Sequence, residues 1–480
     1  MKILLLSMPD TVPLFYCYKS SVANLGLRSI AGNLNLKGVE SKILDLVFFP
    51  KKTKSILKKA ISEYKPDLVG ISSMSFQYES ARGAAGFIRD ADPRIKVALG
   101  GYHATLMYEE IAAGNDAHLF DFIIRGEGEL AFRQLAEKMI GGESDFSGID
   151  GLSHKRGGTF THNKPSGLIV LDTLRMPVRD ADLFKLDVGP FGMAETIESS
   201  RGCRMGCNFC SIRKMYGRSY RAYKVERVIE DIKRARSAGA NRIIFADDNI
   251  TQDTENFGNL CDNIYSEGLD DIYYGIQTSV EGIASSEQLV AKMRRANICL
   301  VFLGIEAITA KNLKQLKKGD IVRSTDKAIG FLRKHDIGIK GGFIVGNPDD
   351  KKEDIRNIFK FATNAGIDSI MCQILTPYPK TEIREELNSL NLIENPLDFS
   401  RYNGFEANVR TKHLTAEEVK SITSKECAKW YLSQVFNASN WFAKSKRVLK
   451  LVYIRLLAMT VVMAFSYWRG RYGYSYHRKL

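Results

Sequence analysis

Residues 198–210 read Glu198-Ser199-Ser200-Arg201-Gly202-Cys203-Arg204-Met205-Gly206-Cys207-Asn208-Phe209-Cys210. Three cysteines fall within eight positions at the spacing C-x3-C-x2-C, while Cys17, Cys261, Cys299, Cys372 and Cys427 stand alone. Three thiolates this close converge when one loop wraps one object, and Gly202 and Gly206 give the backbone freedom for a tight wrap. A cubane iron–sulfur cluster fits, because cysteine thiolates are its usual ligands. Three ligands for four irons leave one iron open to chelate a small molecule. A structural zinc knuckle needs a fourth ligand, and no second C-x2-C lies nearby. A reactive thiol cluster is the remaining reading. The five isolated cysteines read as ordinary buried thiols.

Outward from this stretch the pattern is a series of βα units. Strand candidates are Thr196–Ser199, Arg242–Ala246, Tyr273–Gln277, Leu300–Leu303, Gly341–Val345 and Ser369–Leu375, with helices such as Val225–Ala238 and Thr325–His335 between them. Six such units over residues 194–390 predict a partial (β/α)6 barrel with its chemistry at the C-terminal strand ends. The cysteine stretch follows the first of these strands. Residues 1–140 show a second alternation. Its strands fall at Ile3–Ser7, Ser41–Leu46, Leu68–Ser72, Val97–Leu99 and Phe120–Ile124, and its helices at Ser21–Lys37, Thr53–Tyr64, Glu79–Asp90, Leu106–Ala113 and Glu129–Met139. This predicts a Rossmann-like parallel sheet covered on both faces. Residues 141–193 are rich in glycine and turns and read as a linker with a small hairpin. Residues 391–480 read as a helical, basic C-terminal region. The fold class is therefore α/β.

Composition agrees. At roughly 150 residues per domain, 480 residues make two or three domains, each with a real core. The hydrophobic share of 44% and charged share of 26% exclude disordered, collagen-like and coiled-coil chains. Eight cysteines are too sparse for a disulfide scaffold. Met1–Met8 lacks the h-region and cleavage site of a signal peptide and reads as a buried first strand. No run reaches the ~18 apolar residues of a spanning helix, and the expected location is cytoplasmic. Of the net charge of +14, the last 54 residues carry +10. Their apolar part, Leu449–Trp468, reads either as a helix docked on the barrel or as a basic amphipathic surface lying peripherally on anionic lipid. The second reading fits a lipid-like substrate. No fold or motif for base readout is present, so nucleic acid is not expected as a partner.

Three N-terminal segments end strands with small or polar residues. They are Gly70-Ile-Ser72-Ser73-Met-Ser75, Gly100-Gly101-Tyr-His103-Ala-Thr105 and Arg125-Gly126-Glu127-Gly128-Glu129. Glycines there let a backbone approach a flat or anionic ligand, and hydroxyls add hydrogen bonds without bulk. Tight βα turns use the same residues for their own geometry.

The cysteine motif, with an aromatic before its third cysteine and at the end of the first strand of a βα series, resembles that of the radical S-adenosylmethionine (SAM) superfamily. The resemblance implies that Cys203, Cys207 and Cys210 hold a [4Fe–4S] cluster and that SAM chelates the open iron. One-electron reduction, from a donor such as flavodoxin or ferredoxin, would cleave SAM to a 5′-deoxyadenosyl radical. It further implies that Asp247 and Asp248, in Phe245-Ala-Asp-Asp-Asn-Ile-Thr251, meet the SAM amine, although the commoner form there is Gly-Gly-Glu. Glu306 in Gly304-Ile-Glu306 would approach the SAM ribose, Gln277 would face the same pocket, and Gly341–Pro348 would pack beside adenine. The three N-terminal segments resemble the cobalamin-binding domain that precedes the barrel in one large radical SAM class. That likeness makes Ser72, Ser73, Ser75, Gly100, Gly101, His103, Thr105, Gly126, Glu127 and Gly128 cobalamin-contact candidates. It covers residues 1 to about 410, and Thr376–Thr381 departs from its Pro-Gly-Thr by carrying Lys380. The motif Asp-x-His-x-x-Gly is missing, since the segment after Leu44 reads Asp45-Leu-Val-Phe-Phe-Pro50. Cobalamin is therefore expected without a protein imidazole beneath cobalt. His103 is a cobalt-ligand candidate against the plainer reading of a hydrogen-bonding loop residue.

What the resemblance implies is a cobalamin-dependent radical SAM enzyme that methylates an unactivated carbon of a hydrophobic or lipid-like small molecule. One SAM would methylate reduced cobalamin, and a second would generate the radical that activates the substrate. The same apparatus used for oxidative cyclisation of a tetrapyrrole is one alternative. A non-catalytic corrinoid carrier or sensor is another.

Overall fold

Strand β1 (Lys2–Ser7) buries four consecutive apolar residues, and its alternation divides them between two cores. Leu4 and Leu6 enter one cluster with Leu57, Ala84 and Ile88, and Ile3 and Leu5 enter the other with Leu27, Phe132 and Leu135. A strand apolar on both faces must be covered on both, and helices supply the cover. The structure, a computed structural model, describes residues 1–9, 22–49, 52–184 and 193–436. The tail from residue 437, with its basic and aromatic stretch, and Cys17 lie outside the described residues.

The N-terminal unit runs β1, α1 (Leu25–Asn33), β2 (Glu40–Asp45), α2 (Thr53–Tyr64), β3 (Leu68–Ser72), α3 (Tyr78–Ala91), β4 (Lys96–Gly100), α4 (Tyr102–Ala113), β5 (Phe122–Ile124) and α5 (Gly128–Ile140). The sheet order is β2-β1-β3-β4-β5, all parallel. The chain reverses direction across the sheet between β1 and β3, so a ligand crevice lies beyond the C-terminal ends of those strands. Helix α4 begins four residues earlier than its periodicity predicts. Gly101, at φ 92°, turns the chain directly into it, so His103 and Thr105 sit on the first helical turn rather than in a loop.

The stretch after α5 is more than a connector. Strands β6 (Leu152–Arg156) and β7 (Thr159–His162) form the expected hairpin, but it pairs antiparallel with β5 and extends the sheet to seven strands. Residues 181–183 run along the opposite edge, where Ile43 donates to Ala181 O and Leu183 donates to Ile43 O.

The second sheet is built from β8 (Met193–Ile197), β11 (Ala240–Phe245), β12 (Tyr273–Ser279), β13 (Ile298–Glu306), β14 (Gly338–Val345) and β15 (Ser369–Ile374), parallel and adjacent in chain order. A two-residue ladder, β9 (Ser200–Arg201) with β10 (Arg221–Ala222), brackets the cysteine loop and short helix α6 (Ile212–Tyr216). The crossover helices are α7 (Val225–Ser237), α8 (Thr254–Ser266), α9 (Val280–Ser285), α10 (Glu287–Arg295), α11 (Ala310–Gln315), α12 (Val322–Lys334) and α13 (Lys352–Asn364). Helices α14 (Glu382–Ser389) and α15 (Ala416–Phe436) follow. One core lies between this half-barrel and its helices. The other face of the sheet is open. On β11, Ile243 and Phe245 are buried while Ile244 between them is 39% exposed.

The two units are joined by charge. Arg28 on α1 is 1% exposed and pairs with Glu195 on β8, which is also held by Arg179; Arg179 in turn reaches Asp231 on α7 at 2.7 Å. Removing one partner of a buried pair leaves an uncompensated charge. Arg28→Met is expected to cost about 3 kcal/mol, the low end of that range because Arg179 remains. Urea unfolding checks this, and adding Glu195→Gln recovers part of the loss.

Candidate active site between the two domains

The cysteine loop is held on every side. Gly202, at φ 89°, passes so close to Ser219 that a Cβ would stand 2.4 Å from its carbonyl oxygen. Asp247, just past β11, accepts from Ser199 N at 3.0 Å, Ser199 Oγ at 2.6 Å and Ser200 Oγ. Asp248 accepts from Gly202 N at 2.9 Å. Arg204 N donates to Gln252 Oε1 at 3.0 Å, and Cys203 Sγ lies 3.6 Å from the same oxygen. Asn208, between the second and third cysteines, donates through Nδ2 to Gln315 O at 2.9 Å and through its backbone N–H to Leu316 O at 3.3 Å. Its own carbonyl accepts from Ile383 N on α14.

Cys203, Cys207 and Cys210 are free thiols. Among the described residues no three His, Cys, Asp or Glu side chains converge tightly enough to hold a single metal ion. A zinc knuckle draws all its sulfurs to ~2.3 Å from one ion. A cubane instead gives each thiolate its own iron. Burial pushes the Cys207 thiol up to about 11 and Cys210 up to about 12.

Around the cluster loop stand groups that the motif does not reveal. Lys318, 8% exposed, lies 3.3 Å from Glu306 Oε1. Burial alone would lower the Lys318 pKa, but Glu306 and Cys207 outweigh it and the net direction is upward. Tyr102 follows Gly101 in the N-terminal unit, and Tyr216 ends the helix after Cys210. Burial, then the neighbouring Tyr216 and Asp248, push the Tyr102 phenol well above its ordinary value. Tyr378 lies close enough to Cys210 for that thiol to add to the effect of burial on it. A tyrosine at no fixed spacing from a motif carries no sequence signal. Lys318 is one of many lysines until the fold buries it.

The other candidates divide. Gln277 is exposed at the end of β12, with Nε2 3.3 Å from Asp248 O. Asp247 is 2% exposed, and burial raises its carboxyl to about 6 against the three hydrogen bonds that lower it. These three bonds tie Asp247 to the cysteine loop, and Asp248 is tied to it through Gly202 N.

In the N-terminal unit Ser72, Ser73, Ser75, Gly100, Gly101 and His103 gather beyond β3 and β4. A Cβ on Gly101 would stand 2.6 Å from Ser73 O and 3.1 Å from Ser72 Oγ. Ser73 Oγ is buried with no partner among the described residues. An orphaned hydroxyl beside a backbone only glycine can form is the cradle a large flat cofactor needs, so these residues fit cobalamin. Thr105 donates to Gly101 O and accepts from Gly126 N, which ties the second and third segments together. Gly128 opens α5. His103 is 1% exposed, 3.2 Å from Ser75 Oγ through Nδ1, and packed between Tyr78 and Phe399. The Glu127 carboxylate takes Arg201 at 2.7 Å, Arg221 at 2.9 Å and Ile169 N at 2.8 Å, so the side chain is directed to the half-barrel. Burial opposes its ionisation, and Arg221 and Arg201 overcome that and hold its pKa below the ordinary value.

The chain carries a B12-binding domain and a radical SAM domain, as comparison with known families shows. Residues 12–136 match the family model for the B12 binding domain, and residues 197–362 match that of the Radical SAM superfamily. An uncharacterized methyltransferase of Pyrococcus horikoshii is 29% identical over 90% of this chain and 93% of its own. The anaerobic magnesium-protoporphyrin IX monomethyl ester cyclase of Rubrivivax gelatinosus is 26% identical over 75% of this chain and 65% of its own. In fold, the chain is similar to the radical SAM methyltransferase TsrM of Kitasatospora setae, solved with cobalamin and a [4Fe–4S] cluster. The TM-score is 0.66 at 18% identity, covering 81% of this chain and 75% of TsrM. Among the described residues no helix is long and apolar enough to cross a membrane.

Burial lowers the His103 pKa from 6.5 to about 4. Between those values an unfolded chain binds a proton that folded His103 refuses. Its contribution to stability is therefore full above pH 6.5 and falls as pH drops to about 4, by at most ~3 kcal/mol. Urea unfolding of wild type and His103→Gln across this range is expected to show the difference between them shrinking as pH falls.

Proposed function

We propose that this protein is a cobalamin-dependent radical SAM methyltransferase acting on an unactivated carbon of a hydrophobic small molecule. The observation that carries the reading is the meeting of the glycine cradle and the cysteine loop at one interface. Helix α4, which opens beside the cradle, packs on α6 behind the cysteine loop, and Arg201 pairs with Glu127 and Glu129 across the same interface. When bound, the cluster with SAM supplies a 5′-deoxyadenosyl radical, and the corrin supplies a transferable methyl group. The chain's own residues do the rest. Cys203, Cys207 and Cys210 hold the cluster, and Asp247 and Asn208 hold the loop. Asp248, Gln277, Glu306 and Lys318 offer the polar contacts that SAM's amine, carboxylate and ribose require. Ser72, Ser73, Ser75, Gly100, Gly101, Gly126 and Gly128 form the corrin cradle. A radical and a methyl donor must face one substrate at once, and holding both on rigid neighbouring elements provides that alignment.

The open face of the half-barrel supports a hydrophobic substrate. Ile244 stands exposed on it, and the Phe302 ring packs over Gly342, where a Cβ would come within 2.6 Å. Electrons would come from a carrier such as flavodoxin or ferredoxin. The basic, aromatic tail carries the proposed peripheral contact with a membrane.

Anaerobically reconstituted protein, given reduced cobalamin and methyl-deuterated SAM, is expected to form labelled methylcobalamin above a no-protein control, read by mass spectrometry. Bound cobalamin with no labelled product overturns the methyltransferase reading and favours cyclase-like radical chemistry. Cys207→Ala is expected to abolish 5′-deoxyadenosine, with residual product at or below one hundredth of wild type. Gly101→Val is expected to lose bound cobalamin while keeping the cluster absorbance.

A further inference from the structure

Lys317 and Lys318 are consecutive and opposite. Lys317, at φ 50°, turns the chain after α11 and points outward to Glu382 at 2.7 Å. Lys318 then points inward, its backbone N–H bonded to Leu313 O. The turn that carries it is the one stitched to the cysteine loop, through Gln315 O and Leu316 O to Asn208, the residue after Cys207. The backbone of Lys318 is therefore fixed relative to the loop, and its buried ammonium is held by Glu306 at 3.3 Å. Its carboxylate partner is held by an unusual backbone. Glu306 adopts φ 65°, left-handed for a residue with a Cβ, where the β13–β14 ladder shifts register. Such conformations cost energy and persist where surrounding structure enforces them. Gly304 makes room for the pair, since a Cβ there would lie 2.9 Å from Glu306 Oε1 and 3.3 Å from Lys318 Nζ.

A buried ion pair is weak evidence of a stabilising role, because desolvation offsets most of the attraction. Its place matters more. Three thiolates bring three negative charges to this loop, and each reduction adds another. The potential of an iron–sulfur cluster follows the net charge and solvent exposure around it, and a low-dielectric site strengthens each nearby charge.

We infer that Lys318 is a potential-setting residue, whose buried ammonium raises the reduction potential of the cluster held by Cys203, Cys207 and Cys210, with Glu306 opposing it. This rests on the three-cysteine reading above. The step concerned is the gain of one electron by the oxidised cluster from an external reductant, with no bond made or broken. A pure fold staple would alter stability and leave the potential where it was.

The test is an EPR-monitored redox titration of wild type, Lys318→Met, Lys318→Arg and Glu306→Gln, reconstituted anaerobically without SAM. At a fixed applied potential, Lys318→Met is expected to lower the reduced-to-oxidised ratio about tenfold, equivalent to ~59 mV for one electron. Lys318→Arg is expected to stay near wild type, and Glu306→Gln to shift the ratio upward. Assembled clusters with unmoved potentials in both Lys318→Met and Glu306→Gln overturn the inference. If Lys318→Met takes up no cluster, the sign of the Glu306→Gln shift decides. If wild type itself takes up no cluster, the three-cysteine reading fails instead.

Discussion

One guanidinium joins the two halves of the active site. Arg201 is buried and reaches three carboxylates, Glu198 at 2.8 Å on its own strand connection and Glu127 and Glu129 at 2.7 Å on the N-terminal unit. Arg201 stands two residues before Cys203, and Glu127 stands beside Gly126. A short stretch of backbone thus separates each cofactor loop from the same charge cluster. A buried ion pair adds little net stability, because desolvation offsets the attraction, but removing one partner leaves an uncompensated charge, so this charge cluster ties the two units together. Burial also raises the Glu198 carboxyl to about 7, against the pull of Arg201.

The rest of the site is built outward from that hub by backbone hydrogen bonds. Asp247 and Asp248 hold the start of the cysteine loop, Gln252 its next turn, and the Gln315–Lys318 turn with α14 its far side. Arg213 and Lys317 both pair with Glu382, which binds the loop's outer flank to α14. These contacts fix a loop that would otherwise be free to move with its three thiols.

The alternation of apolar runs was a reliable guide to the strands, because a parallel sheet covered by helices leaves near-continuous apolar segments that few other structures produce. Five strands of the half-barrel lie on those runs, with β11 shifted by one or two residues and β12, β13 and β14 extending beyond their apolar centres, while β8 (Met193–Ile197) begins three residues before the expected Thr196–Ser199 and ends two before it. Ends were harder. Helix α4 starts early because Gly101 takes a left-handed turn, and that is a backbone property with no periodicity. The β6–β7 hairpin was visible as a hairpin, but its pairing with β5 depends on which sheet edge is vacant, and no local pattern records that.

Acidic residues were the least legible part of the site. Glu127 sits among glycines in a strand-end loop, as a ligand contact would, and Asp247 sits beside Asp248 in the expected segment. The side chains are separated in role by direction alone. Glu127 turns toward Arg201 and Arg221, and Asp247 turns toward Ser199 and Ser200. The sequence by itself determined the two α/β units, their order, and the three thiols with their spacing, because those follow from local periodicity and from ligands that share one loop. Only the tertiary structure decided which charges meet. Arg201 with Glu127 and Lys318 with Glu306 are distant in the chain or on separate elements, and burial makes each pairing matter by removing the water that would otherwise screen it.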